Sequence, residues 1–494
     1  MRAEKWGLAG LLTLALLLRL VPALGTDAQF DEIYTIDRIA ASRSFADLFS
    51  PRMNSDNNHL LVTISCFFTQ SRDAWACRIP SVLLGTAVVA LAWVVGRRQG
   101  SRREGWIAGA LTAVSYPLVF YSAEARGYAA VAFFALLSFH LHAGLARAGP
   151  RLARLVWFWA VCILGLLSHF SFILVLVGYG IGEAALFLRR DLRQPRAAIL
   201  RLAAVYLPVL LFLGALYFLW IRSLQILGGP IYGYPTVAGW FLAEAMNAPL
   251  RMTSAATVWC CAAATTAFAA HGVWLLRRDD RGILYGALLV CAPLLVMLTT
   301  RPQLVYSRYF IVLLPFVLLA IGHSLGSLLA GGARRKAPAV LFAAAFVLMG
   351  AQRSAALTSR GKTHYVDTLR FLLQNPEGKE RLTLCAWKQE MTEIIARYFA
   401  NAIAAAPHTA KLGFAPGQNL WQGEAACDFA VVSRDDLEFN RVDPEKSSVL
   451  PLGKRELPLL FSRPSADRLE TDWFVYRPVE GTLRGRADRR PADK

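Results

Sequence analysis

The stretch "SVLLGTAVVALAWVVGRRQGSRRE", residues 81–104, joins a long apolar run to a cluster of four arginines. A helix that crosses a bilayer needs about 20 apolar residues. Arginine and lysine collect in the cytoplasmic loops beside such helices. The same pattern recurs along the 494 residues, of which 55% are hydrophobic and only 18% charged. This composition excludes an ordinary soluble domain and predicts a polytopic membrane protein.

Eleven segments are long and apolar enough to be predicted as spans. They cover residues 6–25, 78–96, 105–122, 128–146, 152–168, 170–188, 199–221, 253–276, 282–299, 309–330 and 337–355. The stretch "HLLVTISCFFTQ", residues 59–70, is apolar but too short to cross comfortably. We expect it to form a helix at the membrane surface or dipping partly into it.

The basic clusters fix the predicted orientation. If the N-terminus is cytoplasmic, every strong basic loop falls on one side. These loops are residues 97–104, 147–154, 189–201, 277–281 and 334–336. The opposite loops carry few cations, so the positive-inside rule favours a cytoplasmic N-terminus and an exported C-terminus. A cleaved signal peptide at the first segment is an alternative that leaves this orientation unchanged.

Two larger polar regions are predicted to lie outside. The first is the loop 26–77, which contains seven acids. The second is the region after 355, where alternating apolar residues predict strands at 381–387, 429–433 and 473–477 and a helix over 388–403. We therefore predict an all-α membrane domain over 1–355, a small α/β extracytoplasmic domain over 356–480 and a disordered tail over 481–494.

Cysteine spacing leaves one question open in the outer domain. A disulfide between Cys385 and Cys427 is permitted in an exported domain, but spacing alone does not establish it. The net charge of +19 is spread over the short loops between spans, which favours the lipid bilayer as partner and excludes nucleic acid.

Four polar stretches fall at the outer ends of the predicted spans. They are "FDEIYT" (30–35), "SDNNHLL" (55–61), "FYSAEARGY" (120–128) and "VYSRYF" (305–310). His169, in "LLSHFS", also faces outward. Ionisable residues gathered at one face of a membrane protein predict a polar cavity there.

These stretches resemble motifs of the C superfamily of membrane glycosyltransferases (GT-C), which includes protein O-mannosyltransferases and the lipid A aminoarabinose transferase. Members typically carry an Asp-Glu pair in the first outer loop, here Asp31-Glu32. A histidine often heads a following surface helix, here His59, although the prolines that usually follow it are absent. A Glu-Ala-Arg-x-Tyr motif is matched by residues 124–128, and an Arg-Tyr pair opens a late span, here Arg308-Tyr309. The resemblance covers residues 1 to about 330.

The resemblance implies the GT-C fold and transfer of a sugar from a polyprenyl phosphate to a hydroxyl outside the membrane. A carboxylate suits the removal of the acceptor proton, and the arginine fork matches phosphate oxygens. The expected base is Asp31, with Glu32 and Glu124 as alternatives. The residues expected to bind the donor and its phosphate are Arg126, Tyr128, Arg308, Tyr309, His59 and His169.

No cofactor is expected, although some members of the superfamily use a divalent metal. Asp31, Glu32, Glu124 and His59 offer oxygen and nitrogen ligands for one, so metal dependence stays open. The 44 arginines against 9 lysines suit a high-GC bacterial genome. That composition favours undecaprenyl phosphate as carrier and the bacterial inner membrane as location. The acceptor is a glycan, a lipid or a protein.

Two other functions are compatible with the sequence. One is a transporter or flippase of lipid-linked sugars, although the chain lacks the repeated halves and mid-membrane polar groups typical of transporters. The other is a non-catalytic binding partner for lipid-linked sugars.

Overall fold

The computed structural model describes residues 2–50, 59–71, 73–148, 151–191, 195–224, 231–250, 254–300, 305–374, 381–386, 389–400, 411–414, 427–439, 442, 449–452, 455–463, 465 and 472–477. Contacts divide the chain into two compact units. The first comprises Met1–Leu24 and Arg38–Thr358, and the second Gly25–Asp37 and Ser359–Lys494. The predicted disordered tail, 481–494, lies outside the described residues.

Helices form nearly all of the regular structure up to residue 374. They are α1 (Arg2–Gly25), α2 (Phe30–Ala40), α3 (Leu60–Thr69), α4 (Ala74–Gln99), α5 (Arg102–Val114), α6 (Tyr116–Ser122), α7 (Tyr128–Ala148), α8 (Leu152–Ser168), α9 (Ile173–Leu186), α10 (Pro195–Leu219), α11 (Tyr234–Ala245), α12 (Ala255–Leu275), α13 (Asp280–Gly286), α14 (Ala292–Thr300), α15 (Leu314–Leu329), α16 (Ala333–Arg360) and α17 (Tyr365–Gln374). A π-helical turn, Ala287–Cys291, joins α13 to α14.

Nine helical segments among the described residues are long and apolar enough to cross a membrane. Nine of the eleven predicted spans fall on them, which confirms a mostly helical, multi-pass membrane protein. The count of eleven is not confirmed. The predicted span over 105–122 consists of two helices, α5 and α6, and the one over 152–168 is a helix of 17 residues. The stretch 59–70 forms only the 10-residue α3.

The break between α5 and α6 is explained by a proline. Ser115 is extended, and Pro117 occupies the first turn of α6. In a continuous helix, Pro117 would lack the N–H needed to bond the carbonyl of Ala113, and its ring would clash with that carbonyl. Arg19 of α1, which is fully buried, donates to the carbonyl oxygens of Thr112 (3.1 Å) and Ala113 (3.2 Å). The break is therefore stabilised by a side chain from another helix.

Helix α15 lies at the centre of the first unit. In the segment Ser307–Leu329, 89% of the most apolar window is buried in protein, against 11% for Pro195–Ser223 around α10. A helix that is apolar on all sides belongs either in a protein core or facing lipid, and burial decides between them. The outward-facing leucines of α10, such as Leu207 and Leu211, are left for the membrane.

The second unit contains a six-stranded sheet. Its strands are β1 (Arg381–Ala386), β2 (Lys411–Phe414), β3 (Phe429–Ser433), β4 (Val449–Leu452), β5 (Arg455–Ser462) and β6 (Trp473–Tyr476). The order is β2-β1-β3-β6-β5-β4, parallel among β2, β1 and β3 and antiparallel from β3 onward. The three predicted strands are present, and two helices, α18 (Gln389–Tyr398) and α19 (Arg434–Phe439), accompany them.

A disulfide closes the core of this sheet. Cys385, the fifth residue of β1, is bonded to Cys427, which lies two residues before β3. The bond links two segments 42 residues apart in the chain. It answers the question that the sequence left open.

Candidate active site

The tight turn between α6 and α7 carries Glu124 and Arg126. Both side chains are buried, at 2% and 4% exposure. The hydroxyl of Ser81 donates to the backbone carbonyl of Arg126 at 3.2 Å, which attaches the turn to α4. Gly127 allows its close approach to α8, because a Cβ there would lie 1.8 Å from the carbonyl oxygen of Ser168. The turn can therefore reach its position only with glycine at 127.

His59, at the start of α3, packs against the same carbonyl. Its Nδ1 donates to the Ser168 oxygen at 3.3 Å, which places the proton of the neutral ring on Nδ1. The imidazole lies 5.3 Å from the ring of Tyr128 and 4.9 Å from that of His169, measured between centroids. Its Nε2 is buried with no hydrogen-bond partner among the described residues.

His169 connects this group to the late span. It lies between α8 and the short 3₁₀ turn Phe170–Phe172, and its Nδ1 accepts from the N–H of Ser171 at 3.0 Å. The ring of His169 lies 5.0 Å from Tyr128 and 5.7 Å from Tyr309. Six residues that the sequence singled out are thus brought into one cluster within the first unit: His59, Arg126, Tyr128, His169, Arg308 and Tyr309.

Both arginines of the cluster lie near aromatic rings. The guanidinium carbon of Arg126 is 5.7 Å from the centre of the Tyr128 ring. That of Arg308, in the 3₁₀ helix Ser307–Leu313, is 4.7 Å from the Tyr306 ring and 6.0 Å from Tyr309. A cation–π contact of this kind restricts the arginine side chain without using its N–H donors.

The charge of this cluster comes from the arginines and not from the histidines. Burial, and then the Arg126 and Arg308 guanidinium groups, lower the pKa of His169 to about 3. Burial, Arg126 and His169 hold the pKa of His59 well below its ordinary value. Tyr128 and Tyr309 each contact the His169 ring and one of the two arginines, so both cations lie near the histidine pair. Two fixed positive charges beside neutral rings favour an anionic ligand.

A cavity of about 230 Å³ opens beside the histidine pair. Its polar lining residues are His59, Ser168, His169, Ser171 and Tyr309. The remaining walls are mostly apolar and include Leu60, Leu166, Leu174, Leu216, Trp220, Leu224, Val296, Met297 and Phe310. Two of the polar residues that line the cavity, His169 and Tyr309, belong to the cluster that also contains Arg126 and Arg308. A ligand with a hydrocarbon part and an anionic head is complementary to this combination of an apolar cavity and nearby cations.

No protein-family model and no curated protein sequence matches the chain. Among solved structures, it is similar to ArnT from Cupriavidus metallidurans in the apo state, a GT-C glycosyltransferase, with a TM-score of 0.53 at 12% identity over 98% of this chain and 100% of that chain. The chain has the GT-C fold. Two further matches score lower. ArnT bound to undecaprenyl phosphate has a TM-score of 0.49 at 14% identity, with the same coverage. The Archaeoglobus fulgidus oligosaccharyltransferase tethered with an acceptor peptide has 0.48 at 12% identity, over 88% of this chain and 70% of that chain.

Sequence reasoning missed one acid near the cluster. Electrostatic interactions link Tyr121 to Glu244 as well as to Tyr128, Arg308 and Glu124. Glu244 lies in α11, a helix of 12 residues that was not among the predicted spans. The sequence did contain a signal for Glu244. It is the only acid in residues 222–252, a segment predicted to lie outside the membrane.

Asp31 and Glu32 lie in α2, in the second unit. Asp31 is partly buried and Glu32 fully buried. A carboxylate oxygen of Glu32 accepts from the N–H of Gln29 at 3.1 Å, so Glu32 caps the start of its own helix. The six clustered residues all belong to the first unit, and the role of Asp31 stays a prediction.

The sequence does not decide whether the protein binds a metal ion. Across the part of the chain that the structure describes, no group of three or more His, Cys, Asp and Glu side chains is arranged to hold a metal ion.

Acid is expected to destabilise the first unit through His59. Its pKa is held below the ordinary value in the folded protein, so the unfolded chain binds the proton more tightly and stability falls as the pH drops below about 6.5. One such histidine costs about 1.4 kcal/mol of unfolding free energy between pH 7.5 and 5.5. Thermal unfolding at both pH values should show a larger acid loss in the wild type than in His59→Phe. Equal losses would show that His59 is protonated in the folded state.

Proposed function

We propose that this chain is a membrane glycosyltransferase that moves a sugar from a polyprenyl phosphate to an acceptor hydroxyl. The bond between the sugar C1 and the phosphate oxygen breaks, and a bond from C1 to the acceptor oxygen forms. The acceptor proton passes to a carboxylate, and the polyprenyl phosphate leaves with the bonding electrons on its oxygen. The reaction needs a general base and cationic donors at the leaving oxygen.

The observation that carries this proposal is the cluster of Arg126 and Arg308 with the histidine pair, whose two imidazoles line an apolar cavity. The cations are suited to the phosphate, and the cavity to the first isoprene units of the carrier. Arginine gives directional, charge-assisted hydrogen bonds to phosphate oxygens. Tyr128 and Tyr309 hold the arginines and histidines in place through ring contacts.

The proposed base is Asp31, with Glu32 and Glu124 as alternatives. Glu124 lies in the same turn as Arg126, which keeps it a candidate on geometry. Glu32 already accepts a backbone hydrogen bond at its helix start, which favours a structural role for it. We further propose undecaprenyl phosphate as the carrier, a bacterial inner-membrane location, and a glycan, lipid or protein as the acceptor.

Mass spectrometry of envelope glycans tests this function directly. Cells that lack the protein should lose one sugar from a single class of surface molecule, and an Asp31→Asn copy should not restore it. The mass difference would identify the sugar, and the affected molecule the acceptor. Identical glycan profiles with and without the protein, under conditions where it is expressed, would contradict a transferase function.

Topology can be tested with two reporter fusions. A reporter fused after Leu357 should be active on the exported side, and one fused near Arg278 in the cytoplasm, because the basic loops are predicted to stay inside. Each site is fused in turn to a reporter enzyme that is active only after export and to one that is active only in the cytoplasm. The two reporters should give opposite signals at each site. If both fusions report the cytoplasm, the outward position of the cluster is wrong.

A further inference from the structure

A buried amide bridges the broken helix that leads into the candidate site. Asn247, two residues beyond the end of α11, is fully buried. Its side-chain oxygen accepts from the N–H of Tyr116, the first residue of α6, at 2.8 Å. Its side-chain nitrogen donates to the carbonyl of Phe346 in α16 at 2.9 Å and lies 3.5 Å from the carbonyl oxygen of Val114, the last residue of α5.

One amide thus contacts both sides of the break and a third helix. The break leaves backbone groups of α5 and α6 without intrahelical partners, and such groups are costly when buried and unsatisfied. Arg353 of α16 adds to the same junction, because its guanidinium lies 3.7 Å from the centre of the Tyr116 ring and donates to the carbonyl of Ala248 at 2.9 Å.

The backbone at Asn247 restricts which residue can do this. Its φ is +67°, in the left-handed region that asparagine and glycine adopt most readily. Glycine would keep this conformation but lose the amide, and aspartate would lose both donors and bury a charge. Space is limited as well, since a Cβ at Gly350 would lie 2.5 Å from the Val114 oxygen and 2.8 Å from the Asn247 amide nitrogen.

The junction controls the direction of a very short helix. Helix α6 has seven residues, and the turn with Glu124 and Arg126 follows it directly. A small change of angle at Tyr116 therefore moves Arg126 against Tyr128 and the histidine pair. The backbone N–H of Asn247 also donates to the carbonyl of Glu244 at 2.8 Å, so the same residue fixes the end of α11.

We infer that Asn247 is a positioning residue for the candidate site, acting through α6 on the turn that carries Arg126. This inference rests on the proposed function, since it concerns the geometry of the phosphate-binding arginines. The hydrogen bonds of Asn247 described here join it to backbone groups of α5, α6, α11 and α16, and not to the six clustered side chains. Asn247 instead affects the position of Arg126 relative to Arg308.

The test measures the binding of farnesyl phosphate, a short polyprenyl phosphate, to the purified full chain. Asn247→Gly keeps the backbone conformation and removes the amide, so it should weaken this binding by about tenfold, within the range of coupling through packed networks. Tyr179→Phe is the matched control, because it removes one buried hydrogen bond, to Ser138 at 2.9 Å, away from the cluster. It should lower stability without changing the affinity of the folded protein.

A double-mutant cycle separates positioning from general destabilisation. If Asn247 acts through Arg126, then Asn247→Gly combined with Arg126→Ala should cost less affinity than the sum of the two single changes. Additive effects, or wild-type affinity in folded Asn247→Gly, would overturn the inference and leave the proposed function intact. Wild-type protein that does not bind farnesyl phosphate would overturn both.

A second variant covers the case in which Asn247→Gly does not fold. Gly350→Ala places a methyl group against Val114 and the amide of Asn247 from the side of α16. It should weaken farnesyl phosphate binding in the same non-additive way with Arg126→Ala. Unchanged affinity in folded Gly350→Ala would count against the inference.

Discussion

Replacing Arg126 or Arg308 with alanine is expected to lower turnover by about two to three orders of magnitude, or about 2.7–4 kcal/mol of transition-state stabilisation. Negative charge grows on the phosphate as the sugar leaves, so a fixed cation stabilises the transition state more than the bound donor. Burial of Arg126 and the contact of Arg308 with the Tyr306 ring hold both side chains in place before the donor arrives. Turnover and donor affinity measured together for each variant check this result.

Lysine variants test the geometry of the hydrogen bonds. Arg126→Lys and Arg308→Lys keep the charge but lose the planar fork of donors, so both should remain impaired. Arg222→Ala is the matched control, because Arg222 is exposed and lies in a loop predicted to face the same side. Wild-type turnover in both alanine variants would remove these residues from the site.

The alternative for Arg126 is a purely structural role beside Glu124. In that case Glu124→Gln should mimic Arg126→Ala, and a lower amount of folded protein should account for both losses. Normalising turnover to folded protein distinguishes the two explanations.

Asp31→Asn is expected to lower turnover by about two to four orders of magnitude, the usual contribution of a general base. The amide has the same size but cannot accept a proton at neutral pH. Donor binding should persist, because the residues proposed to hold the phosphate are unchanged. Product formation and donor affinity in Asp31→Asn therefore separate a catalytic role from a binding role.

Two neighbours in α2 provide controls for Asp31. Asp37→Asn removes an exposed ion pair with Arg397 (3.0 Å) and should have little effect, since such pairs contribute little to stability. Glu32→Gln should lower the amount of folded protein more than turnover, because Glu32 is buried at its helix start. Full activity in Asp31→Asn beside inactive Glu32→Gln or Glu124→Gln would move the role of base to that residue.

The membrane helices were predictable because their signal is local. An apolar run of sufficient length has few alternatives in a bilayer, so nine spans could be assigned from the sequence. The break at Ser115 was also visible in principle, through Pro117, but proline is tolerated in many membrane helices and does not by itself predict a break. Helix α11 was not predicted, because its 12 residues are too few for a span.

The residues of the site could be predicted from the sequence more readily than their clustering in space. The sequence identified Arg126 and Arg308, but their convergence depends on the close approach at Gly127 and on contacts between α3, α8 and the late 3₁₀ helix. In the second unit, three strands were predicted from alternation. The order β2-β1-β3 was not, because pairing between strands distant in sequence leaves no local pattern.

Arg19 has a consequence for how the chain is made. Its carbonyl partner Thr112 follows 93 residues later, so at about 5–20 residues per second the ribosome needs roughly 5–20 seconds to supply it. During that interval the nascent first helix holds an arginine, which costs up to about 2.5–3.5 kcal/mol to insert into lipid, the value for a helix centre. The nine leucines of α1 help to offset this cost until α5 emerges. Biogenesis of the first helix is thus tied to the synthesis of the fifth, and a chain truncated before Thr112 retains an arginine that its mature neighbours would have sequestered.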